Sequence, residues 1–357
     1  MCGIVAGIAQ RNVIPILLEG LKRLEYRGYD SAGLAVIHDQ TILRQRVLGK
    51  VKGLDDSLKA EPMSGHVGIA HTRWATHGKP STANAHPHIS CNNVAVVHNG
   101  IIENYEQLKS AQLKNNYAFT SETDTEVIVH EVFHARQFTD TLLQAVKDTL
   151  PKLDGAYALA IMCADEPDTL VIARKGSPLV IGVGIGEYFV ASDVTALLPV
   201  TQRFIFLEEG DVAEIKIDSL IIYDDQNKIV SRDTKESQLK ADAVEKGEYR
   251  HFMLKEIYEQ PFAITQTLEG RFIGQRLQDS AFGFDAARIF DQVQSIQILA
   301  CGTSYHAGLV ARYWFEELAR VPCSIEVASE FRYRHPVLAP NTLVVTISQS
   351  GETADTL

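Results

Sequence analysis

The first 223 residues have apolar strand segments at both ends and helical segments between them. This order constrains the fold more than any other feature of the sequence. Short apolar runs predict strands near residues 3–9, 33–38, 42–48, 67–71 and 94–98. Helical periodicity predicts helices over 13–24, 103–114 and 123–135. Strand-rich sequence returns from Gly155 to Tyr223. This order of strands, helices and strands predicts an α+β layered domain with two sheets.

A polar, charged segment over residues 224–249 interrupts these patterns and is predicted to be a linker. A helical segment over 250–268 follows it. Beyond that segment, strands are predicted over 295–300, 324–328 and 343–347, and a helix over 304–319. Alternation of this kind predicts an α/β doubly wound parallel sheet. We therefore predict a first domain over 2–223, a linker over 224–249 and, over 250–357, an incomplete second domain.

The composition argues against several classes of partner. The chain has 45 acidic and 34 basic residues, a formal net charge of -11, and no stripe of lysine and arginine. We therefore expect neither a nucleic acid nor an anionic membrane as partner. No apolar run approaches the roughly 18 residues of a transmembrane helix, and no signal peptide precedes the first strand. The five cysteines include no C-x-x-C pair, which fits free thiols in a reducing cytoplasm.

Cys2 directly follows the initiator methionine, and a glycine comes next. Initiator methionine is readily removed before a small residue, so Cys2 is expected to carry a free α-amino group beside its thiol. The α-amine has an ordinary pKa of about 7.7–8.0, and the thiol has one of about 8.5. The amine can therefore act as the base for the thiol of the same residue. The alternative is a small apolar residue at the start of a buried strand.

Two clusters follow predicted strands and carry suitable hydrogen-bond donors. Arg73 can clamp a carboxylate through two parallel hydrogen bonds, or it can be a surface residue beside Trp74. Asn99 and Gly100 are predicted to end an apolar strand, where both can donate to a developing oxyanion. An Asn-Gly pair is also typical of a hairpin turn, although the following segment looks helical.

Asp124 lies in the pattern Thr123-Asp124-Thr125-Glu126, which predicts a capping box at the start of a helix. Its carboxylate can bind an ammonium group, or it can simply interact favourably with the helix dipole. Six of the twelve histidines fall between His66 and His98, which suggests a metal site. No H-E-x-x-H motif or paired ligand spacing supports one, so we predict no metal and no cofactor.

Two turns of the second domain are rich in hydroxyl groups. Residues 301–304 read Cys-Gly-Thr-Ser, and residues 348–353 read Ser-Gln-Ser-Gly-Glu-Thr. Hydroxyls and free N–H groups at helix N-termini bind phosphate, although each turn can also be an ordinary N-cap. Two such turns after neighbouring parallel strands favour one shared anion site.

Five motifs together resemble class II glutamine amidotransferases, which are N-terminal-nucleophile hydrolases. The motifs are Met1–Val5, Tyr26–Gly33, His71–Gly78, Val96–Asn104 and Ser121–Glu126. The resemblance implies an α+β N-terminal-nucleophile hydrolase fold layered α/β/β/α.

The same resemblance implies a site that hydrolyses the side-chain amide of L-glutamine. Cys2 is then the nucleophile, and Asn99 with the Gly100 N–H stabilises the oxyanion. Arg73 holds the α-carboxylate of glutamine, and Asp124 holds its α-ammonium group. The further implied pocket residues are Trp74, Thr76 and His77.

The turns of the second domain resemble a sugar-isomerase (SIS) domain. The combination resembles the family of glutamine–fructose-6-phosphate aminotransferases, which implies that ammonia passes to fructose 6-phosphate. The implied phosphate contacts are Thr303, Ser304, Ser348, Gln349, Ser350 and Thr353. The family implies a cytoplasmic homodimer at full length. Because the chain ends at Leu357, four residues after Thr353, we expect it to support only the hydrolysis of glutamine.

Two alternatives stay open at this point. A phosphoribosyl-diphosphate amidotransferase would share the front half, but it should carry an acidic phosphoribosyl loop, which residues 348–353 do not resemble. A non-catalytic sugar-phosphate sensor would not need intact Cys2, Arg73, Asn99 and Asp124. Retention of Met1 would block the α-amine and favour the sensor.

Overall fold

The structure, a computed structural model, describes residues 2–25, 30–74, 79–237, 249–268, 271–273, 276–283 and 285–348. The chain divides into two compact units, Met1–Phe284 and Asp285–Leu357. No helix in the described ranges is both long enough and apolar enough to cross a membrane.

The first unit contains two large antiparallel sheets and helices on their outer faces. Its strands are β1 (Gly3–Ile8), β2 (Ser31–His38), β3 (Thr41–Leu48), β4 (Val67–Arg73), β5 (His88–Ser90), β6 (Val94–Ile102), β7 (Gly155–Cys163), β8 (Glu166–Lys175), β9 (Val180–Val183), β10 (Tyr188–Ala191), β11 (Arg203–Phe206), β12 (Val212–Lys216), β13 (Ser219–Tyr223), β14 (Ile229–Val230), β15 (Thr234–Glu236), β16 (Phe272–Ile273) and β17 (Arg276–Leu277). Its helices are α1 (Ile14–Leu24), α2 (Val51–Ala60), α3 (Tyr105–Lys114), α4 (Thr125–Arg136), α5 (Leu142–Thr149) and α6 (Phe252–Leu268).

Within the described residues, the first sheet has the strand order β15-β11-β9-β10-β1-β4-β2-β3 and the second has the order β14-β13-β12-β8-β7-β6-β5. β16 and β17 form a separate pair. β1 therefore lies inside the first sheet, between β10 and β4, and β6 lies one strand from an edge of the second.

Hydrophobic packing arranges these elements in four layers. Successive side chains of β1 point to opposite faces, so Ile4 packs in a core between the two sheets while Val5 packs against the outer helices. That outer core joins the first sheet to α1 and α2. A third core joins the second sheet to α4 and α5 through residues such as Ile128 and Val146. The order is α/β/β/α, which confirms the predicted fold.

The Asn99-Gly100 pair lies inside a strand, and the prediction that it ends the strand is wrong. β6 continues to Ile102 and stays paired with β7 along that length. Gly100 has a φ of 135°, and a Cβ at this position would lie 2.0 Å from the Ala156 carbonyl oxygen. The strand can therefore pass this point only with glycine. The following helix, α3, begins at Tyr105.

The predicted capping box at the start of α4 does not form. Asp124 occupies the N-cap position, but its side chain makes no capping hydrogen bond. The Glu126 carboxylate instead accepts hydrogen bonds from the N–H groups of Thr120 (2.8 Å) and Ser121 (2.7 Å). The Glu126 carboxylate thus organises the loop before α4 instead of forming the expected capping box.

Residues 224–237 extend the sheets, although the sequence predicts a linker there. β14 pairs with β13, and β15 pairs with β11. Between these strands, Arg232 forms an ion pair of 2.8 Å with the fully buried carboxylate of Asp211. Strand pairing and this ion pair hold a segment whose own apolar content is low. α6, predicted to lie in the second domain, belongs to the first compact unit.

The second unit has the predicted parallel sheet. Its strands are β18 (Ser295–Ala300), β19 (Cys323–Val327) and β20 (Thr342–Ile347), and its helices are α7 (Ala286–Phe290), α8 (Gly302–Trp314) and α9 (Ala328–Tyr333). In the described part, the strand order is β19-β18-β20, with both neighbours parallel to β18. This arrangement confirms a partial α/β domain.

Candidate active site

The pairing of β1 with β4 brings Cys2 beside the end of β4. Gly3 is opposite Thr72 in this pair, so the residue before β1 lies next to Arg73 and Trp74. The Trp74 N–H donates a hydrogen bond to Cys2 Sγ (3.3 Å), and the Cys2 thiol donates to the Trp74 carbonyl oxygen (3.5 Å). A strand pairing thus places the candidate nucleophile next to a motif 72 positions away.

A cavity lies at this point. Five of the predicted site residues line it, namely Cys2, Arg73, Trp74, Gly100 and Asp124. The other lining residues are His86, His98, Thr123 and Thr125. Arg73 is 3% exposed and Asp124 is 4% exposed, so the cavity holds buried charges of both signs.

Asn99 is adjacent to Cys2. Its Nδ2 donates a hydrogen bond to the Cys2 carbonyl oxygen (3.2 Å), and its Oδ1 lies 3.0 Å from His71 Nε2. A side-chain amide has two N–H donors, and the Cys2 carbonyl uses one of them. The amide is therefore held at both ends next to the Cys2 backbone, although Asn99 is not among the residues that line the cavity.

Asp124 connects the end of β6 to the start of α4. Its Oδ2 accepts a hydrogen bond of 2.8 Å from the Ile102 N–H. A carboxylate has acceptor capacity on both oxygens, so this bond orients the group and leaves capacity for a further donor in the cavity. The strand end and the helix start are joined by the same side chain that lines the cavity.

The Cys2 thiol lies in an environment that disfavours its charged form. Burial raises the pKa of the thiol above its ordinary value, and the Trp74 backbone hydrogen bond and the charge of Arg73 oppose this only in part. The thiol is therefore protonated near neutral pH, and a nucleophilic role requires a base close to the sulfur.

Three buried histidines pack together next to the cavity. The rings of His71 and His86 are stacked with centroids 4.1 Å apart, and His88 meets His86 edge-on at 4.8 Å. Burial lowers the pKa of His71 to about 3, and it lowers the pKa values of His86 and His88 well below their ordinary value. In the described ranges, no group of three or more His, Cys, Asp or Glu side chains is placed to hold a metal ion.

Two arginines of β3 hold the segment that carries His86. Arg46 donates hydrogen bonds to the carbonyl oxygens of Ala83 (3.0 Å) and Ala85 (2.8 Å), and Arg44 donates to that of Pro87 (3.2 Å). Neither arginine is among the site residues predicted from the sequence. Their signal is the spacing of two residues on a predicted strand, which puts both side chains on one face.

The described members of the predicted phosphate site lie at one edge of the parallel sheet. Thr303 and Ser304 are in the first turn of α8, directly after β18, and Ser348 directly follows β20. Ala300 is paired with Ile347, so the two segments leave the sheet at the same edge. The predicted residues outside the described ranges are Thr76, His77, Gln349, Ser350 and Thr353.

Two known domain families match this chain. The family described as "Glutamine amidotransferase domain" matches residues 71–199, and the family described as "SIS domain" matches residues 289–357. The first match covers Arg73, Asn99 and Asp124, and the second covers the turns after β18 and β20.

Curated relatives align with the chain from end to end. The glutamine–fructose-6-phosphate aminotransferases [isomerizing] of Shewanella oneidensis, Acinetobacter baylyi and Pseudomonas aeruginosa are 57%, 58% and 58% identical to it over 100% of its length. This chain is a homologue of glutamine–fructose-6-phosphate aminotransferases. It covers 59%, 58% and 59% of those relatives, so it spans about three-fifths of the aminotransferases that it matches.

Two solved enzyme structures share the fold of this aminotransferase homologue. The glutamine phosphoribosylpyrophosphate amidotransferase from B. subtilis has a TM-score of 0.53 at 20% identity, covering 94% of this chain and 69% of that chain. The "allosteric regulatory enzyme of purine biosynthesis" has a TM-score of 0.58 at 20% identity, covering 94% and 82%. These likenesses concern the fold alone. The curated relatives support the main prediction and neither the phosphoribosyl-diphosphate nor the sensor alternative.

Proposed function

We propose that this chain hydrolyses L-glutamine at Cys2 and belongs to an enzyme that transfers the released ammonia to fructose 6-phosphate, forming glucosamine 6-phosphate. The observation that carries the hydrolytic part is the meeting of Cys2, Arg73 and Asp124 around one cavity. The acceptor is supported by the relationship to the aminotransferases over the whole chain.

Cys2 supplies both the nucleophile and its base. Removal of Met1 frees the α-amine, whose ordinary pKa of about 7.7–8.0 suits a base at neutral pH. The amine takes the thiol proton as Sγ attacks the amide carbon, and that proton then leaves with ammonia. Water hydrolyses the resulting thioester to glutamate. Because burial raises the pKa of the thiol, this step depends on the adjacent amine.

Asn99 and Gly100 stabilise the charge that develops on the amide oxygen. The Asn99 amide lies beside Cys2, with one N–H on the Cys2 carbonyl and a second N–H available to the oxyanion. Donors of this kind act mainly in the transition state, since the oxygen becomes fully charged only there. Gly100 lines the cavity in a conformation that side-chain-bearing residues rarely adopt.

Arg73 and Asp124 hold the two charged ends of glutamine. A glutamine zwitterion presents one carboxylate and one ammonium group, and the cavity contains one buried guanidinium and one buried carboxylate. The Arg73 fork suits a carboxylate through two parallel bonds. The proposed pocket also includes Trp74, Thr76 and His77. Trp74 lies next to Cys2 Sγ, close to the amide carbon from which ammonia leaves.

The second unit holds the phosphate of fructose 6-phosphate. Thr303 and Ser304, at the N-terminus of α8, and Ser348, after β20, leave adjacent strands at one sheet edge. Free N–H groups and hydroxyls at a helix N-terminus favour an anion. Three residues outside the described ranges complete the proposed site, namely Gln349, Ser350 and Thr353.

Labelling with a glutamine analogue tests the hydrolytic part. An analogue with an electrophilic ketone in place of the amide should modify Cys2, and free glutamine should protect against it. The exposed Cys91 is the matched control, because a simple alkylating agent should modify it whether or not glutamine is present. Peptide mapping by mass spectrometry also reports whether Met1 is absent. Modification of Cys91 with Cys2 untouched would contradict the proposal.

A two-product assay on the full-length enzyme tests the acceptor, because the present chain is expected to support only the hydrolysis of glutamine. Glutamine and fructose 6-phosphate are supplied together, and glutamate and glucosamine 6-phosphate are measured separately. Amino-sugar formation that depends on Cys2 supports the acceptor, and glucose 6-phosphate serves as the control sugar. Glutamate release with no amino sugar from fructose 6-phosphate would contradict the acceptor and leave the hydrolysis standing.

We also propose that the full-length enzyme is a cytoplasmic homodimer that binds no nucleic acid. The five cysteines are free, and the chain carries a net negative charge, which support a reducing compartment and no nucleic-acid partner. Sedimentation analysis gives the oligomeric state directly, and a monomer at micromolar concentration would contradict the homodimer.

A further inference from the structure

His71 lies between the backbone of β6 and the side chain of Asn99. It is fully buried in β4, two residues before Arg73. Its Nε2 lies 3.0 Å from the His98 carbonyl oxygen and 3.0 Å from Asn99 Oδ1. The proposed mechanism uses Asn99 and assigns His71 no role.

The His98 carbonyl oxygen determines which atoms of His71 and Asn99 carry the protons. A carbonyl oxygen can only accept a hydrogen bond, so His71 Nε2 carries a proton. That N–H also faces the Asn99 amide, whose nearer atom must then be the acceptor Oδ1. The amino group of Asn99 consequently faces the Cys2 carbonyl oxygen, at 3.2 Å. The opposite orientation would set N–H against N–H and oxygen against oxygen.

We propose that His71 is a positioning residue for glutamine hydrolysis, because its Nε2–H holds the Asn99 amide with the amino group directed to Cys2 and the oxyanion. The proposal rests on the proposed hydrolysis at Cys2 and deepens it. His71 acts through Asn99, since its Nε2 faces the His98 carbonyl oxygen and Asn99 Oδ1 while its other ring nitrogen is buried.

The surroundings of His71 keep it neutral with the proton on Nε2. Its Nδ1 is buried and, within the described residues, has no hydrogen-bond partner. Its ring stacks on His86, and the charge of Arg73 is nearby. A proton added at Nδ1 would be buried without an acceptor and close to a cation. Burial, the largest cause, lowers the pKa of His71 to about 3. The donor therefore does not titrate near neutral pH.

Two substitutions at His71 distinguish the loss of the Nε2–H donor from the loss of the imidazole ring itself. His71→Gln can place an amide N–H near the position of Nε2, whereas the shorter His71→Asn cannot reach Asn99. His130→Asn is the matched control, because His130 is also buried but bonds to Ser90 Oγ through Nδ1 (2.9 Å), an atom that asparagine can mimic.

Glutamate release is measured with glutamine varied, so that kcat and KM are obtained separately. We expect His71→Asn to lower kcat about tenfold, the effect of one lost hydrogen bond, with KM unchanged because Arg73 and Asp124 still hold the substrate. His71→Gln and His130→Asn should retain the parent kcat. Equal kcat values for His71→Gln and His71→Asn would overturn the proposal.

A double-mutant cycle tests whether the substitution of His71 lowers kcat through the Asn99 amide. In an Asn99→Ala background, His71→Asn should cause no further loss of kcat, because the group that it orients is gone. Losses that multiply would overturn the proposal. Cys2→Ala is assayed in parallel. If the parent protein is no more active than Cys2→Ala, the proposed hydrolysis at Cys2 is overturned as well. If the parent is active and the two losses of kcat multiply, only the positioning role of His71 is overturned.

The parent protein supplies a readout that needs no variant, should His71→Asn fail to fold. Histidine-selective ¹⁵N labelling distinguishes the two neutral tautomers by the chemical shifts of the ring nitrogens. We expect the His71 signal to show the Nε2–H tautomer between pH 6 and 8 without titration. An Nδ1–H tautomer, or a titration in that range, would overturn the proposal.

Discussion

Mild acid should destabilise the first unit, because His71, His86 and His88 are buried in the neutral form. Their pKa values are lowered by burial, to about 3 for His71 and well below the ordinary value for the other two. The positive charges of Arg44 and Arg46 act on His88 in the same direction. The unfolded chain therefore binds protons that the folded chain does not, and the stabilisation present above the unfolded pKa is lost as the pH falls.

The magnitude follows from the difference between the folded and unfolded pKa values. The pKa of histidine in the unfolded chain is about 6.5. Each of the three histidines therefore lowers the free energy of unfolding by about 1.4 kcal/mol for each pH unit below that value. From about pH 7.5 to about pH 5.5, the three groups together should remove roughly 4 kcal/mol. A typical domain has about 5–15 kcal/mol of stability, so this loss is large.

Urea unfolding at pH 7.5, 6.5 and 5.5 measures this loss, with Trp74 fluorescence followed in a Trp314→Phe background so that the signal reports the first unit. His88→Gln should reduce the acid-induced loss by about one third, since one of three titrating groups is gone. His38→Gln is the matched control, because its side chain is 50% exposed. A free energy of unfolding that is equal at pH 7.5 and 5.5 would refute the neutral-histidine account.

Four further predictions concern the site. Arg73→Lys keeps the charge but loses the planar fork, so kcat/KM for glutamine should fall roughly tenfold to a hundredfold in steady-state kinetics. Asp124→Asn should also lower kcat/KM and should weaken the bond to the Ile102 N–H, and parent-like kinetics would contradict the ammonium-binding role. Asn99→Ala should lower kcat by roughly 10²–10³ with KM little changed, as expected for an oxyanion donor. Gly100→Ala should lower the melting temperature in calorimetry, because a Cβ would lie 2.0 Å from the Ala156 carbonyl oxygen.

Local sequence patterns predicted most elements of the first unit and missed those that depend on distant partners. β1, β2, β4 and α1 were readable from apolar runs and helical periodicity, because their residues are buried whatever their exact neighbours. The end of β6 was misplaced, since pairing with β7 extends the strand through an Asn-Gly sequence that alone favours a turn. The two strands within residues 224–237 were missed for the same reason, because their stability comes from pairing with β13 and β11.

The histidines show a different limit of prediction from the sequence. Their density between His66 and His98 was visible in the sequence, but its meaning was not. Spacing can argue against a metal site, whereas it cannot say that His71 and His86 stack or that His71 Nε2 meets Asn99. Those relationships depend on how β4, β6 and the segment held by Arg46 pack together.

The sequence by itself determined the chemical groups and the layers. It supplied a cysteine next to the initiator methionine, charges of both signs, an Asn-Gly pair and the alternation of apolar residues that makes two stacked sheets. Only the tertiary structure decided that Cys2 and Asn99, 97 positions apart, lie within one hydrogen bond of each other. It also decided the raised pKa of the Cys2 thiol and the orientation of the Asn99 amide. Strand register and burial are long-range properties, because they arise from contacts between segments that no local pattern connects.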